Sequence, residues 1–182
     1  MIAATASAPV VISPFANERV RQWPAAHYRE LVELIWRRHG LPTLIVGTRA
    51  QRAQANALVR GFSSELVANR CGTMSWGELV AAVDAAPYVV ANNSGVAHLA
   101  AGRGRWTLCI FAASHSPAEW APRGPFVVTV LRSLPCAPCS IGADLCPNGV
   151  ACMTDLYPEE VFWRFEQVRS QVVGDAPACD SP

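Results

Sequence analysis

The stretch Tyr88-Val89-Val90-Ala91-Asn92-Asn93-Ser94-Gly95-Val96-Ala97-His98 changes character in its middle, and that change decides the fold. Tyr88 to Ala91 is a short apolar run, read as a strand shut off from water on both faces. Asn92 to Gly95 interrupts it at once, and a helix is expected from there to about Gly102. A strand passing straight into a helix through a short polar turn is the repeating unit of an α/β sheet. Such a turn is also where chemistry collects. Free backbone N–H groups and the positive end of the helix dipole make the helix start an anion site. Gly95 lets a ligand approach the backbone closely, while Ser94 either caps the helix or donates to a phosphate. His98 lies about one turn further on, near enough to face the same ligand. The plainer alternative is that Ser94 is only a cap and His98 only a structural histidine.

Working outward in both directions, the same alternation recurs. Val10-Val11-Ile12 reads as a buried strand ending in Ser13-Pro14, and Pro24 starts a helix. Along that helix Tyr28, Leu31, Val32 and Ile35 repeat at i, i+3, i+4, i+7, and Gly40 stops it. Thr43 to Val46 predicts a second strand closed by Gly47, followed by a weakly amphipathic helix over 49–60. Leu66 and Val67 mark a third strand. Ser75 and Glu78 then form a capping box opening a helix, with Trp76, Leu79, Val80 and Val83 on its apolar face. Further strands are expected at Thr107–Phe111 and Phe126–Leu131. A closing helix is expected from Pro158 to Val172, with Val161, Phe165, Val168 and Val172 on one side. Strand alternating with helix throughout implies an α/β fold, a doubly wound parallel sheet with helices on both faces. The expected organisation is one domain over 1–173, including a cysteine-rich segment over 135–153, with a flexible tail at 174–182.

Composition narrows the function classes. Of the 182 residues, 51% are hydrophobic and 16% charged, which suits a packed core and argues against disorder. A net charge of +1 lacks the basic footprint of a nucleic-acid binder. No apolar run reaches the roughly 20 residues of a membrane span. Met1 to Ala8 lacks a cationic segment and a proper apolar one, so no secretory signal is expected and a cytoplasmic protein is. All 15 cationic residues are Arg, which excludes a catalytic or Schiff-base lysine.

In an open α/β sheet, ligands bind beyond the carboxyl ends of the strands. Besides Asn92–His98, two segments arrive there: Ser13 to Trp23 and Gly47 to Gln51. Arg21, just before a helix start, has the guanidinium fork that matches phosphate oxygens. Its plainer reading is a solvated surface Arg, and Trp23 reads first as core packing. Cys136, Cys139, Cys146 and Cys152 form C-x2-C-x6-C-x5-C, which resembles a structural zinc site. Two disulfides and four free thiols are the rivals. Cys71 and Cys109 read as small core residues, and Cys179 falls in the tail.

Taken in order from about Val10 to Val168, these segments resemble the C-terminal half of glycosyltransferase family 9, the ADP-heptose:lipopolysaccharide heptosyltransferases. The resemblance rests on Ser13-Pro14-x-Ala16, Arg21-x-Trp23-Pro24, Gly47, Gly72 and the Ser75 helix. It continues through Asn93-Ser94-Gly95-x-x-His98-Leu99-Ala100, Phe111, Pro117-x-x-Trp120-x-Pro122, Cys152-Met153 and Pro158-Glu159-x-Val161. It implies a Rossmann-like domain of a GT-B, inverting glycosyltransferase, with a nucleotide-diphosphate sugar such as ADP-heptose as donor and a glycan or lipid-linked acceptor. By position, Asn93, Ser94, Gly95 and His98 would contact the diphosphate and sugar. Ser13, Ala16, Asn17 and Arg21 would face phosphate, Gly47 would line the site, and Gly72 to Met74 would lie along the nucleoside. No catalytic cofactor is implied, and the general base is expected from an N-terminal acceptor domain or partner chain outside these residues. A cytoplasmic place peripheral to the inner membrane goes with that function.

Three residues depart from the family pattern. Phe15 stands where a Gly is usual, and its bulk is expected to narrow or reshape the phosphate pocket. Arg21 replaces a Lys, keeping charge with a different reach. Asn93 replaces an Asp, removing a carboxylate. The other reading these departures support is a non-catalytic module that binds nucleotide sugar or serves in an interaction.

Overall fold

The computed structural model describes residues 8–174. Six strands form one sheet: β1 (Val10–Ser13), β2 (Thr43–Ile45), β3 (Val67–Asn69), β4 (Tyr88–Asn92), β5 (Trp106–Ile110) and β6 (Val127–Val130). Their order is β3-β2-β1-β4-β5-β6, and every neighbouring pair is parallel. The longer helices between and after them are α1 (Ala25–His39), α2 (Arg52–Val59), α3 (Trp76–Ala85), α4 (Gly95–Gly102) and, closing the chain, α7 (Pro158–Gly174). Two one-turn helices, α5 (Pro117–Trp120) and α6 (Ala151–Thr154), lie in the loops flanking β6. The tail expected over 174–182 lies from 175 onward outside the described residues, as do Cys179 and residues 1–7.

The strands alternate their side chains between two apolar layers. Val10, Ile12, Ile45 and Val90 pack with Tyr28, Leu31, Val32 and Ile35 of α1 and with Val161, Phe165 and Val168 of α7. Val11 and Val89 face the other way, onto Val83 of α3 and Ala100 of α4. Burial on both faces is why the strands read as continuous apolar runs. The expected stripes on α1 and α7 are those observed. Gly40 ends α1 at φ +62, its N–H donating to Trp36 O at 2.7 Å, a conformation that favours glycine.

Three details differ from the sequence reading. Pro24 is the residue before α1 rather than its first member. The helix expected over 49–60 begins as a 3-10 turn at Arg49–Gln51. On α3 only Val83 is fully buried, and Trp76 projects outward with 69% of its surface exposed. Cys71 and Cys109 are core residues; burial pushes their thiols up, to about 11 and about 12 respectively, so both stay protonated and inert near neutral pH.

Candidate functional site

β1 and β4 are neighbours in the sheet but lead into connections on opposite sides, so the loops leaving their carboxyl ends diverge and open a crevice. A cavity of about 470 Å³ occupies it. Its walls come from the loop after β1 (Ser13, Ala16, Asn17), the loop after β2 (Gly47, Thr48, Arg49, Gln51), the segment from Arg70 to Trp76, and the start of α4 (Ser94, Gly95). Segments far apart in sequence thus meet because every parallel strand delivers its loop to the same edge.

The expected residues divide between the cavity and its surroundings. Ser13, Ala16, Asn17, Gly47, Gly72, Met74, Ser94 and Gly95 all line it. Asn93 does not: it is buried behind the β4 turn, its N–H donating to Ile110 O and its side-chain oxygen 3.3 Å from His98 Nε2. His98 therefore has a protein partner, and its exposed ring stands outside the lining. Arg21 also lies outside, on the 3-10 turn Arg19–Arg21, where it pairs with Glu18 at 3.1 Å and leaves its buried Nε without a partner.

Ser94 bears on the choice between cap and ligand group. It occupies the residue before α4, yet its side chain makes no capping bond, and its buried Oγ has no partner. A buried hydroxyl left unpaired is costly unless a ligand completes it. It stands where the free N–H groups of the first turn of α4 converge. In the same lining, Arg49 and Arg70 supply two cations, and among the described residues no carboxylate lines the cavity. Its lining thus carries positive charge and no negative side chain.

Glycines set the spacing of the walls. Gly72 has φ +66, and its N–H donates to Gly47 O at 2.9 Å, tying the loops after β2 and β3 together. A Cβ on Gly72 would lie 2.4 Å from Arg49 Cα. A Cβ on Gly47 would lie 2.9 Å from a ring carbon of Phe15. That contact explains how Phe15 is accommodated. Its ring is 7% exposed and packs in the core beside the side-chain-free Gly47, forming part of the wall while the cavity stays open.

Behind the site stands Asn92, the last residue of β4 and fully buried. Its Oδ1 accepts from Trp23 N–H at 3.1 Å and Tyr28 O–H at 2.9 Å, and its Nδ2 donates to Pro14 O at 2.7 Å. Burial holds the Tyr28 phenol well above its ordinary range, so it remains a donor. One amide thus pins the loop after β1 and the start of α1 to the end of β4.

The cysteine segment lies apart from the cavity. Cys139 N–H and Ser140 N–H bond to Ala113 O and Ser114 O, which anchors the segment beside the end of β5. Burial pushes the Cys152 thiol up, and charge on nearby Cys139, Cys146 and Cys136 pushes it further. Val150 N–H donates to Cys146 Sγ at 3.3 Å. Among the described residues no group of three or more His, Cys, Asp or Glu side chains is arranged to hold a metal ion. The tetrahedral zinc set expected at Cys136, Cys139, Cys146 and Cys152 is therefore not assembled; Cys152 is buried at α6 while Cys136 is exposed.

A family model described as glycosyltransferase family 9 (heptosyltransferase) matches residues 3–147. The chain belongs to glycosyltransferase family 9. Lipopolysaccharide heptosyltransferase 1 of Pseudomonas aeruginosa is 31% identical to it over 119 residues, covering 65% of this chain and 32% of that protein. Among solved structures, E. coli ADP-heptose lipopolysaccharide heptosyltransferase II superposes with a TM-score of 0.77 at 18% identity, covering 93% of this chain and 49% of the other. The E. coli heptosyltransferase WaaC with ADP gives 0.72 at 19%, covering 91% and 46%. The iron-containing dodecameric glycosyltransferase TibC from enterotoxigenic E. coli gives 0.74 at 16%, covering 95% and 49%. The match thus spans about a third of the curated relative and about half of each solved chain. What this family 9 chain shares with those structures is the Rossmann-like, doubly wound domain of a GT-B glycosyltransferase. Among its described residues, no helix is long and apolar enough to cross a membrane.

Proposed function

We propose that this chain is the donor-binding domain of an inverting heptosyltransferase-type enzyme, acting in the synthesis of lipopolysaccharide or a related cell-surface glycan. The observation that carries the reading is the cavity at the β1–β4 divergence. It brings an unpartnered Ser94 Oγ, the start of α4 and the cations Arg49 and Arg70 around one carboxylate-free space. A nucleoside diphosphate matches it, with phosphate oxygens at the α4 end and the nucleoside towards Gly72–Trp76. Donors fixed before the reaction would stabilise the departing diphosphate as its charge develops. The acceptor, and the base that activates its hydroxyl, belong in this reading to the part of the relatives' length that this chain does not span. ADP-heptose is the natural first donor to try, since two of the similar structures are described with ADP or ADP-heptose bound. A place at the cytoplasmic side of the inner membrane is part of the same proposal.

Calorimetric titration with ADP tests it. The wild-type chain is expected to bind, and Arg70→Ala to bind about tenfold more weakly, the scale of one charge-assisted hydrogen bond. Arg21→Ala, outside the lining, is expected to cost less. A wild-type chain that takes neither ADP nor ADP-heptose would overturn the assignment.

A further inference from the structure

Trp76 is the one cavity residue whose exposure does not follow from its surroundings. It is the first residue of α3, 69% exposed, although it lines the space between the sheet loops. Leaving an indole in water forgoes the burial of up to about 150–250 Å² of aromatic surface. The other strongly exposed tryptophans have company. Trp120 lies edge-on to His115 with centroids 5.6 Å apart, and Trp163 carries the Arg164 guanidinium at 4.7 Å. Trp76 has no aromatic or cationic partner of that kind among the described residues.

Its backbone, by contrast, is fixed. Ser75 N–H and Oγ donate to Glu78 Oε2 at 2.7 and 2.8 Å, and Glu78 N–H donates back to Ser75 Oγ at 3.3 Å. The capping box therefore holds the first turn of α3 rigidly while leaving the indole free on its solvent side. Met74 and Leu79 line the same cavity and pack with Val96 of α4 in one apolar cluster, so apolar wall lies close to the indole. A nucleoside diphosphate lying along the cavity, phosphates at Ser94, would bring its base to this wall.

We propose that Trp76 is the stacking platform for the donor's nucleobase, a binding residue whose unfilled face is completed by the ligand. This rests on the donor-binding reading above and adds to it the side chain that holds the base. An indole gives a purine more overlap than a pyrimidine, so the residue also contributes preference for ADP over UDP.

The test titrates wild type, Trp76→Ala and Trp76→Phe with ADP, UDP and inorganic pyrophosphate, with thermal melts of each. Trp76→Ala is expected to weaken ADP about tenfold, to narrow the ADP-to-UDP ratio, and to leave pyrophosphate and the melt unchanged. Trp76→Phe should retain ADP affinity to within about threefold. Unchanged ADP affinity in Trp76→Ala overturns the platform alone. Equal losses for ADP and pyrophosphate also overturn it, because they place the effect on the loop rather than the base. A wild-type chain that binds none of the three overturns the donor reading, and the platform with it.

Discussion

Replacing Asn92 with alanine is expected to lower the unfolding free energy by about 4 kcal/mol and the melting temperature by about 10 °C. The side chain contributes no ligand contact, so the effect arises wholly from the groups it leaves behind. Trp23 N–H, Tyr28 O–H and Pro14 C=O all point at one fully buried amide. Each would be stranded without water or a new partner, at about 1–3 kcal/mol apiece, and partial relaxation keeps the total below their sum. Tyr28→Phe removes only one donor and leaves Asn92 Oδ1 bonded to Trp23, so it should cost about 1 kcal/mol. Pinning is the functional consequence. Pro14 and Trp23 bracket the loop that carries Ala16 and Asn17 into the cavity, so the Asn92→Ala variant should also bind ADP more weakly while folded. A variant that melts within about 2 °C of wild type would show that the network is not what holds that loop.

The same residue shows where sequence reading stops. The strand, turn and helix around Asn92 are legible because a short apolar run followed by small polar residues has few other solutions in an α/β chain. The triplet Asn92-Asn93-Ser94 nevertheless looks uniform along the sequence, and the structure gives its three members different tasks. Asn92 braces the fold, Asn93 pairs with His98, and Ser94 faces the cavity. The partners that distinguish them lie 64 to 78 residues away for Asn92. Local pattern carries no trace of such contacts.

The cavity's cations were only half legible for a related reason. Arg49 follows β2 inside the Gly47–Gln51 segment expected at the ligand edge, but nothing there singles out its side chain, and nothing around Arg70, which follows β3, separates it from a surface arginine. They converge because β2 and β3 pair in parallel, with Ile45 opposite Asn69, which delivers both exits to the same edge. Trp76 departs from its expected apolar face for a different reason. A period of 3.6 fixes the direction of a side chain around the helix axis, but not whether the helix is close enough to the sheet to cover it. At the first residue of α3 it is not, and only Val83 further along is fully enclosed. Phe15 reverses the case: its bulk suggested a narrowed pocket, and the space beside Gly47 absorbs the ring into the core.

Gly72→Ala is expected to be the most damaging change to the cavity itself, and its cause can be separated experimentally into two parts. The residue sits at φ +66, where a side chain costs about 1 kcal/mol for ordinary residues. The new Cβ would also lie 2.4 Å from Arg49 Cα, a backbone atom that cannot rotate away. Relieving that overlap must separate the loops after β2 and β3 and lengthen the Gly72 N–H to Gly47 O bond, for about 3 kcal/mol in all. Moving Arg49 off the cavity wall should abolish measurable ADP binding even where the domain remains folded. Gly72→Asn distinguishes the causes, because asparagine tolerates the left-handed conformation but carries the same Cβ. Since overlap with backbone outweighs strain here, both variants should lose stability and ADP affinity to similar extents. Near-wild-type behaviour of Gly72→Asn would instead mean that the two loops can part without harm, and that Arg49 does not depend on Gly72 for its position.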